Sequence, residues 1–491
     1  MFETAEIGNR LSREEYNRET PALREELLEL QTELKESPLR VVIIVGGVEG
    51  AGKGDLVNLL LEWMDVRGID TYAFGELTDE ERERPRFWRY WRALPSTGRI
   101  GILFGSWYTE PIVDRAFKRI RRPRFDQELQ RIDAFEEMLA REGTVLIKLW
   151  LHLSRAAQKE RHRALLKDPR TRWRVSAREL GYAKLYQAFR TVSERALRRT
   201  STEHAPWNVI EATDFRYCSL TATRLIRDGI RVALQRAAQP GPPKEPDRPS
   251  PQPVNVLRRI DLSRKLTPEA YEEQLPRYQG RLARLNRELA LRKRSLTVVF
   301  EGPDAAGKGG AIRRVTSALD ARNYRVISVA APTDEERAHP YLWRFWRHLP
   351  RTGQVSLYDR SWYGRVLVER IEGFCSREDW MRGYREINAF EEELVEFGTI
   401  VVKFWLHVSS EEQLRRFQER QNTPYKHYKI TDEDWRNREK WSAYEAAACE
   451  MIERTSTEIA PWTLVSAEDK PWARIEVLKT ICDRVERALK S

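Results

Sequence analysis

Between residues 301 and 310 the chain reads EGPDAAGKGG, in which Gly302, four intervening residues, Gly307 and Lys308 make the spacing GxxxxGK. Set between a strand and a helix, such a loop surrounds a phosphate with backbone N–H groups while the lysine neutralises its oxygens. Ala306, Gly307 and Gly309 then line the cradle beside Gly302. Gly309 stands where these loops usually carry a hydroxyl that coordinates magnesium, so Mg2+ must be held by other groups. Two carboxylates are at hand, Asp304 inside the loop and Asp359 at the end of the run QVSLYD. Hard oxygen donors suit a cation that must also touch phosphate, and both positions belong at the carboxyl edge of a parallel sheet, where ligands bind. A turn-forming aspartate and a strand-end cap are the structural alternatives.

Positive charge gathers nearby. Arg360 and Arg365 follow Asp359 closely enough to reach a phosphoryl group in transfer. Upstream, YLWRFWRHLP interleaves Arg344 and Arg347 with aromatic residues, a pattern that equally describes a helix burying its tryptophans and exposing two solvated arginines. Downstream, the segment from Leu414 to Trp441 is basic and helical in pattern, and it contains Arg416, Lys426 and Lys429. A mobile helical cover would bring such cations onto bound phosphates as it closes and excludes water. A solvated charged face is the alternative.

These groups need a scaffold. LTVVFE, RVISVA, QVSLY, TIVVKFWLH and WTLVS are short apolar runs separated by helical segments, the pattern of a buried five-stranded parallel sheet with helices on both faces. The plan occurs twice at a constant offset of 255 residues. SWY at Ser106 recurs at Ser361, LPSTG at Leu94 answers LPRTG at Leu349, and AFEE at Ala134 recurs at Ala389; TSTE with APW at Thr200 recurs at Thr455. The preceding helix keeps its stripe: Leu23, Leu27, Leu30 and Leu34 correspond to Tyr278, Leu282, Leu285 and Leu289. QPGPPKEPDRPSPQP divides the copies, its prolines forbidding continuous helix. The expected organisation is a domain at 1–238, a linker at 239–255 and a second domain at 256–491.

The copies differ where chemistry is expected. Phe104 and Gly105 replace Asp359 and Arg360, and Glu49 stands where Asp304 stands, while Lys53 matches Lys308. Without the strand-end carboxylate a metal loses a principal ligand. The first copy is therefore expected to be catalytically dead, kept for packing and for gripping polyanion.

Together, EGPDAAGKGG, YDRSWYGR, the basic segment and TSTEIAPW resemble the polyphosphate kinase 2 family, once per copy. The resemblance implies a tandem duplication of a P-loop kinase-like three-layer α/β/α domain with a helical lid, Mg2+ as cofactor, and catalytic roles for Asp304, Lys308, Asp359, Arg360 and Arg365. It also implies inorganic polyphosphate and an adenine nucleotide as partners. Many family members have asparagine where this chain has Gly364; the WYGR form and the tandem arrangement resemble members that phosphorylate AMP to ADP. A polyphosphate-dependent nucleoside diphosphate kinase, an ATP-dependent nucleoside monophosphate kinase and a non-catalytic polyanion or nucleic-acid binder are the rival readings.

Composition is consistent with this. A net charge of +11 gives a field that draws anions without naming one. No apolar run approaches the length that crosses a bilayer, the first residues lack the pattern of a secretory signal, and Cys218, Cys375, Cys449 and Cys482 have no metal-ligand spacing. The expectation is a cytoplasmic protein with free thiols, no membrane contact and no specific nucleic-acid partner, assembling as a homo-oligomer with an intrachain pseudo-twofold domain pair.

Overall fold

The computed structural model describes residues 1–239, 254–424, 430 and 432–490, so Lys426, Lys429 and residues 240–253 of the expected linker lie outside the described residues. The chain divides into two compact units. One comprises Met1–Glu76, Arg89–Lys244 and Pro332–Arg344; the other comprises Leu77–Trp88, Glu245–Ala331 and Phe345–Ser491. Each unit thus includes a short segment from the other half of the chain. No helix among the described residues is long and apolar enough to cross a membrane.

In the first unit, strands β1 (Arg40–Gly47), β2 (Ile69–Ala73), β3 (Ile100–Phe104), β4 (Thr144–His152) and β5 (Trp207–Glu211) form one sheet in the order β2-β3-β1-β4-β5. In the second, β6 (Leu296–Glu301), β7 (Tyr324–Ser328), β8 (Val355–Asp359), β9 (Ile400–His407) and β10 (Trp462–Ser466) repeat that order as β7-β8-β6-β9-β10. All pairings are parallel, and the five runs expected in the second copy are its five strands. Every residue of β6 is buried, as its continuous apolar run requires of a central strand covered on both faces. The chain leaves β6 for the edge strand β7, returns to β8 beside β6, and then crosses to β9 on the other side. The gap beyond the carboxyl ends of β6 and β8 is thus a topological switch point, the standard ligand crevice of such sheets.

The leucine stripe is core in both copies. The helix Arg13–Lys35, opened by a Ser12–Glu15 capping box, buries Leu23, Leu27, Leu30 and Leu34, and the helix Pro268–Leu291, capped by Thr267, buries Leu282, Leu285 and Leu289.

The repeated motifs meet at a polar core. Lys403 of β9 is fully buried and donates to Glu391 Oε2 at 2.7 Å, to Tyr363 Oη at 2.8 Å and to the Thr455 carbonyl at 2.8 Å. Glu391 Oε1 accepts from Trp362 Nε1 at 3.0 Å and from Tyr363 Oη at 2.7 Å, while Trp462 Nε1 donates to Thr455 Oγ1 at 2.8 Å. SWY, AFEE and TSTE with APW are therefore one contact read at three places in the sequence. The first unit reproduces it around Lys148, Glu136, Tyr108, Trp107 and Thr200. Both copies keep these residues because each needs the same core.

Removing one member leaves the other as an uncompensated buried charge. Glu391→Ala is expected to destabilise the second unit by about 3–5 kcal/mol, with the Glu391→Leu/Lys403→Met double variant recovering much of that loss. Denaturant midpoints of the three chains check this, and an unchanged midpoint for Glu391→Ala would contradict it.

Candidate active site

The loop after β6 is built on backbone conformations that constrain its residues. Gly302 has φ +142°, and a Cβ there would lie 2.2 Å from the Leu406 carbonyl oxygen of β9, so only glycine lets the loop leave the sheet this closely. Gly307 has φ +107° and opens the helix Lys308–Thr316, whose first N–H groups face the loop. Lys308 is buried and donates to the carbonyls of Gly302 at 2.7 Å and Pro303 at 3.1 Å, which leaves one of its three N–H groups for a ligand.

Asp304, Lys308, Asp359 and Arg360 come together around this loop. Phe300 and Asp359 are register partners in β6 and β8, and the Arg360 N–H donates to the Phe300 carbonyl at 3.1 Å. Arg360 Nη2 donates to Asp304 Oδ1 at 2.7 Å, and Asn437 Nδ2 donates to Asp304 Oδ2 at 2.9 Å. Burial works against charge on Asp304, but Lys308, Arg360 and the bond from Asn437 outweigh it and hold the carboxyl below its ordinary range. Asp304 is thus an anion at neutral pH.

Ala305 and Arg360 have φ of +62° and +61°, the left-handed region that side chains with a Cβ disfavour. Their counterparts in the first copy are Gly50 at +81° and Gly105 at +77°, where the same turns carry no such strain. A Cβ at 105 would sit 2.9 Å from the Phe74 carbonyl, so the first copy has no room for an arginine there. Lys53 is paired with Glu49 at 3.1 Å while touching the carbonyls of Gly47 at 3.1 Å and Val48 at 3.4 Å. The longer carboxylate reaches the lysine that its own loop offers to phosphate.

Other expected residues are placed differently. Arg365 pairs with Glu369 at 3.2 Å, its stem packed against Gly383. Arg344 pairs with Glu336 at 3.2 Å and groups with the first unit, while Arg347 is exposed. Arg416 corrects the expectation of a phosphate contact. It is 2% exposed and spends its guanidinium on Glu412 and on the carbonyls of Ala305, Ala306, Ala467 and Glu468, bracing the underside of the loop. Within the basic segment, the helix Asp432–Glu439 meets the loop through an acidic and an amide side chain: Glu433 lies 3.7 Å from Arg360 and Asn437 bonds Asp304.

Sequence reasoning missed two residues. Asn437 is one, and its counterpart Tyr182 in the first copy is the signal that pairwise comparison of the copies offers. Glu301 is the other: 5% exposed, it accepts from Ser361 Oγ at 2.7 Å at the foot of the site, and its counterpart is Gly46. Burial raises the Glu301 carboxyl, Asp359 adds to this, and Ser361, Lys308 and Arg360 oppose it.

The donor set fits a hard divalent cation. Among the described residues no group of three or more His, Cys, Asp or Glu side chains could hold a metal, so a cation at this site would rest on the two carboxylates, waters and phosphate oxygens. Asp359 Oδ2 lies 3.9 Å from the point a Cβ at 309 would take, so it faces the space that a hydroxyl-bearing side chain fills in other loops of this spacing.

The sheet order, the loop at its switch point and the charged cluster beside it define a P-loop kinase-like α/β protein, built twice. The family model for polyphosphate kinase 2 matches residues 10–238 and 265–491, and the chain belongs to that family. It is 52% identical over 493 residues to a Pseudomonas aeruginosa protein named polyphosphate:AMP phosphotransferase, covering 100% of this chain and 99% of the relative. It is 35% identical over 467 residues to an Acinetobacter johnsonii protein of the same name, covering 91% of each. A solved structure of a Pseudomonas aeruginosa polyphosphate kinase 2 superposes with a TM-score of 0.91 at 50% identity over 100% of both chains.

Glu301 gives a pH test. Its raised carboxyl binds a proton more readily folded than unfolded, so the chain loses stability as pH rises from about 4.5 toward the folded value, and the loss is complete above it. Glu301→Gln keeps an acceptor for Ser361 and removes this dependence. Its urea midpoint relative to the parent is expected to climb across that window, and a pH-independent difference would contradict the assignment.

Proposed function

We propose that the chain transfers the terminal phosphoryl group of inorganic polyphosphate to AMP, giving ADP, and that the second copy carries the reaction. The observation that carries this reading is the joining of Lys308, Asp304, Arg360 and Asp359 around one phosphate loop, in a chain matched along its full length by relatives named for this transfer. The mechanism follows from what each group offers. Lys308 gives its free N–H to a phosphate oxygen, and the N–H groups at the start of the helix Lys308–Thr316 take others. Arg360, already fixed on Asp304, turns its remaining donors toward the group in transfer and stabilises charge spread over its equatorial oxygens. Arg365 serves as a further cation beside the path once Glu369 is displaced. Mg2+, held by Asp304 and Asp359, would neutralise the phosphates and fix their geometry. The attacking oxygen of AMP is already ionised, so no general base is needed.

Cys218, Cys375, Cys449 and Cys482 are free, which suits a reducing compartment, and we assign the protein to the cytoplasm. The first copy, with Lys53 neutralised by Glu49 and no carboxylate at 104, is assigned packing and polyanion-holding roles within a domain spanning 1–238, with the reaction confined to 256–491.

The test is formation of ADP from AMP with polyphosphate and Mg2+, and its loss in Asp359→Asn, a change of charge with little change in volume. At least a tenfold fall in rate, about 1.4 kcal/mol of barrier, is expected for that variant. Transfer from ATP but not polyphosphate would overturn the donor, a product from ADP but not AMP would overturn the acceptor, and salt-sensitive binding without turnover would favour a binding protein.

A further inference from the structure

The cover helix Asp432–Glu439 touches the site through a chain of hydrogen bonds. Tyr444 Oη, from the helix Trp441–Thr455, donates to Asn437 Oδ1 at 3.1 Å, and this fixes the amide so that its Nδ2 donates to Asp304 Oδ2 at 2.9 Å. Arg438 of the same cover helix donates to Gln413 Oε1 at 3.1 Å, and Gln413 Nε2 donates to the Asp304 carbonyl at 3.1 Å. One helix therefore reaches both the carboxylate and the backbone of Asp304. A carboxylate that accepts from Arg360 on one oxygen and Asn437 on the other has no freedom to rotate, and its remaining lone pairs are aimed.

The first copy shows what is lost when these links are absent. Gln158 still donates to the Glu49 carbonyl at 3.0 Å, so the bond beneath the loop persists. Tyr182, Ala183 and Phe189 stand where Asn437, Arg438 and Tyr444 stand. Phe189 differs from its counterpart chiefly in the missing hydroxyl, and it packs with Tyr182 and Phe117 in an aromatic cluster with ring centroids 5.1–5.9 Å apart. The copy without the strand-end carboxylate thus also has an apolar contact in place of the polar relay.

We infer that Asn437 and Tyr444 are positioning residues that orient Asp304 for the cation and the phosphates when the cover is seated, so that seating of the cover and binding of the cation favour each other. The inference rests on the kinase reading above. Asn437 acts directly on Asp304, and Tyr444 acts only through Asn437. By linkage, whatever the cover adds to cation affinity the cation returns to seating of the cover.

The experiment uses the full chain without substrates, Mg2+ as the probe, and isothermal titration calorimetry as the readout, followed by steady-state kinetics on the same preparations. Asn437→Ala is expected to weaken Mg2+ by about tenfold and lower kcat by a similar factor, the scale of one charge-assisted hydrogen bond. Tyr444→Phe should weaken Mg2+ by about threefold, in line with a neutral hydrogen bond, and the double variant should match Asn437→Ala alone. Mg2+ should slow amide hydrogen exchange at 432–439 in the parent and not in Asn437→Ala. Lys440→Met breaks the 2.8 Å pair with Glu372 on the same segment without touching Asp304, and is expected to leave Mg2+ affinity at the parent value. The inference is overturned by unchanged Mg2+ affinity in Asn437→Ala, by losses in the double variant that simply add, or by an equal loss in Lys440→Met. Absence of ADP formation in the parent chain would instead remove the kinase reading, and calorimetry would still decide the coupling between Asn437 and the cation.

Discussion

The buried ammonium of Lys403 and carboxylate of Glu391 form the interaction on which the site depends. Two charges removed from water are tolerable only when every remaining donor and acceptor is matched, and here Tyr363, Trp362 and the Thr455 carbonyl complete the set. Trp362 and Tyr363 directly follow the turn at Arg360 and Ser361. Anchoring their rings therefore fixes the end of β8, and with it the direction of Asp359 and Arg360. The same pair ties β9, through Lys403, to the helix Arg377–Glu396, through Glu391, so strand, turn and helix keep one geometry. That the first unit holds an equivalent network around Lys148 and Glu136, yet lacks the charges at 104 and 105, separates framework from chemistry within one molecule.

The chemistry carries a conformational cost that the framework does not. Left-handed Ala305 and Arg360 each cost on the order of 1 kcal/mol or more relative to a relaxed backbone. In the first copy both positions are glycine, which takes the same turns without that cost. Burial of Glu301 beneath the site adds another unfavourable group, again with glycine as its counterpart. Three local departures from stability thus coincide with the charged cluster, the pattern expected where function rather than folding sets the residue.

Much of this was legible in the sequence. Parallel strands, the phosphate loop between strand and helix, and the internal repeat all follow from apolar periodicity and glycine spacing, which act locally. Asp304, Lys308, Asp359 and Arg360 were legible because loop and strand end must meet at a parallel sheet's carboxyl edge. Arg416 was misread because a guanidinium serves equally well on phosphate or on five protein acceptors, and only packing decides between them. Asn437 and Glu301 carried no motif of their own. Their meaning lies in contacts across more than fifty residues of chain, to Asp304 and Ser361, that local pattern does not encode.

The central claim is that two loops of the same spacing have diverged into one that transfers phosphoryl groups and one that does not. It is tested most directly by kcat for Lys53→Ala and Lys308→Ala, measured side by side with AMP, polyphosphate and Mg2+ and with intact circular dichroism in both. Lys53 is already neutralised by Glu49, so its loss should leave kcat within about twofold of the parent, altering at most polyphosphate affinity and its salt dependence. Loss of Lys308 should lower kcat by about a hundredfold or more, the scale of a positioned charge at a transferring group. A comparable large fall in both variants would contradict the account, for it would mean that the first loop also works.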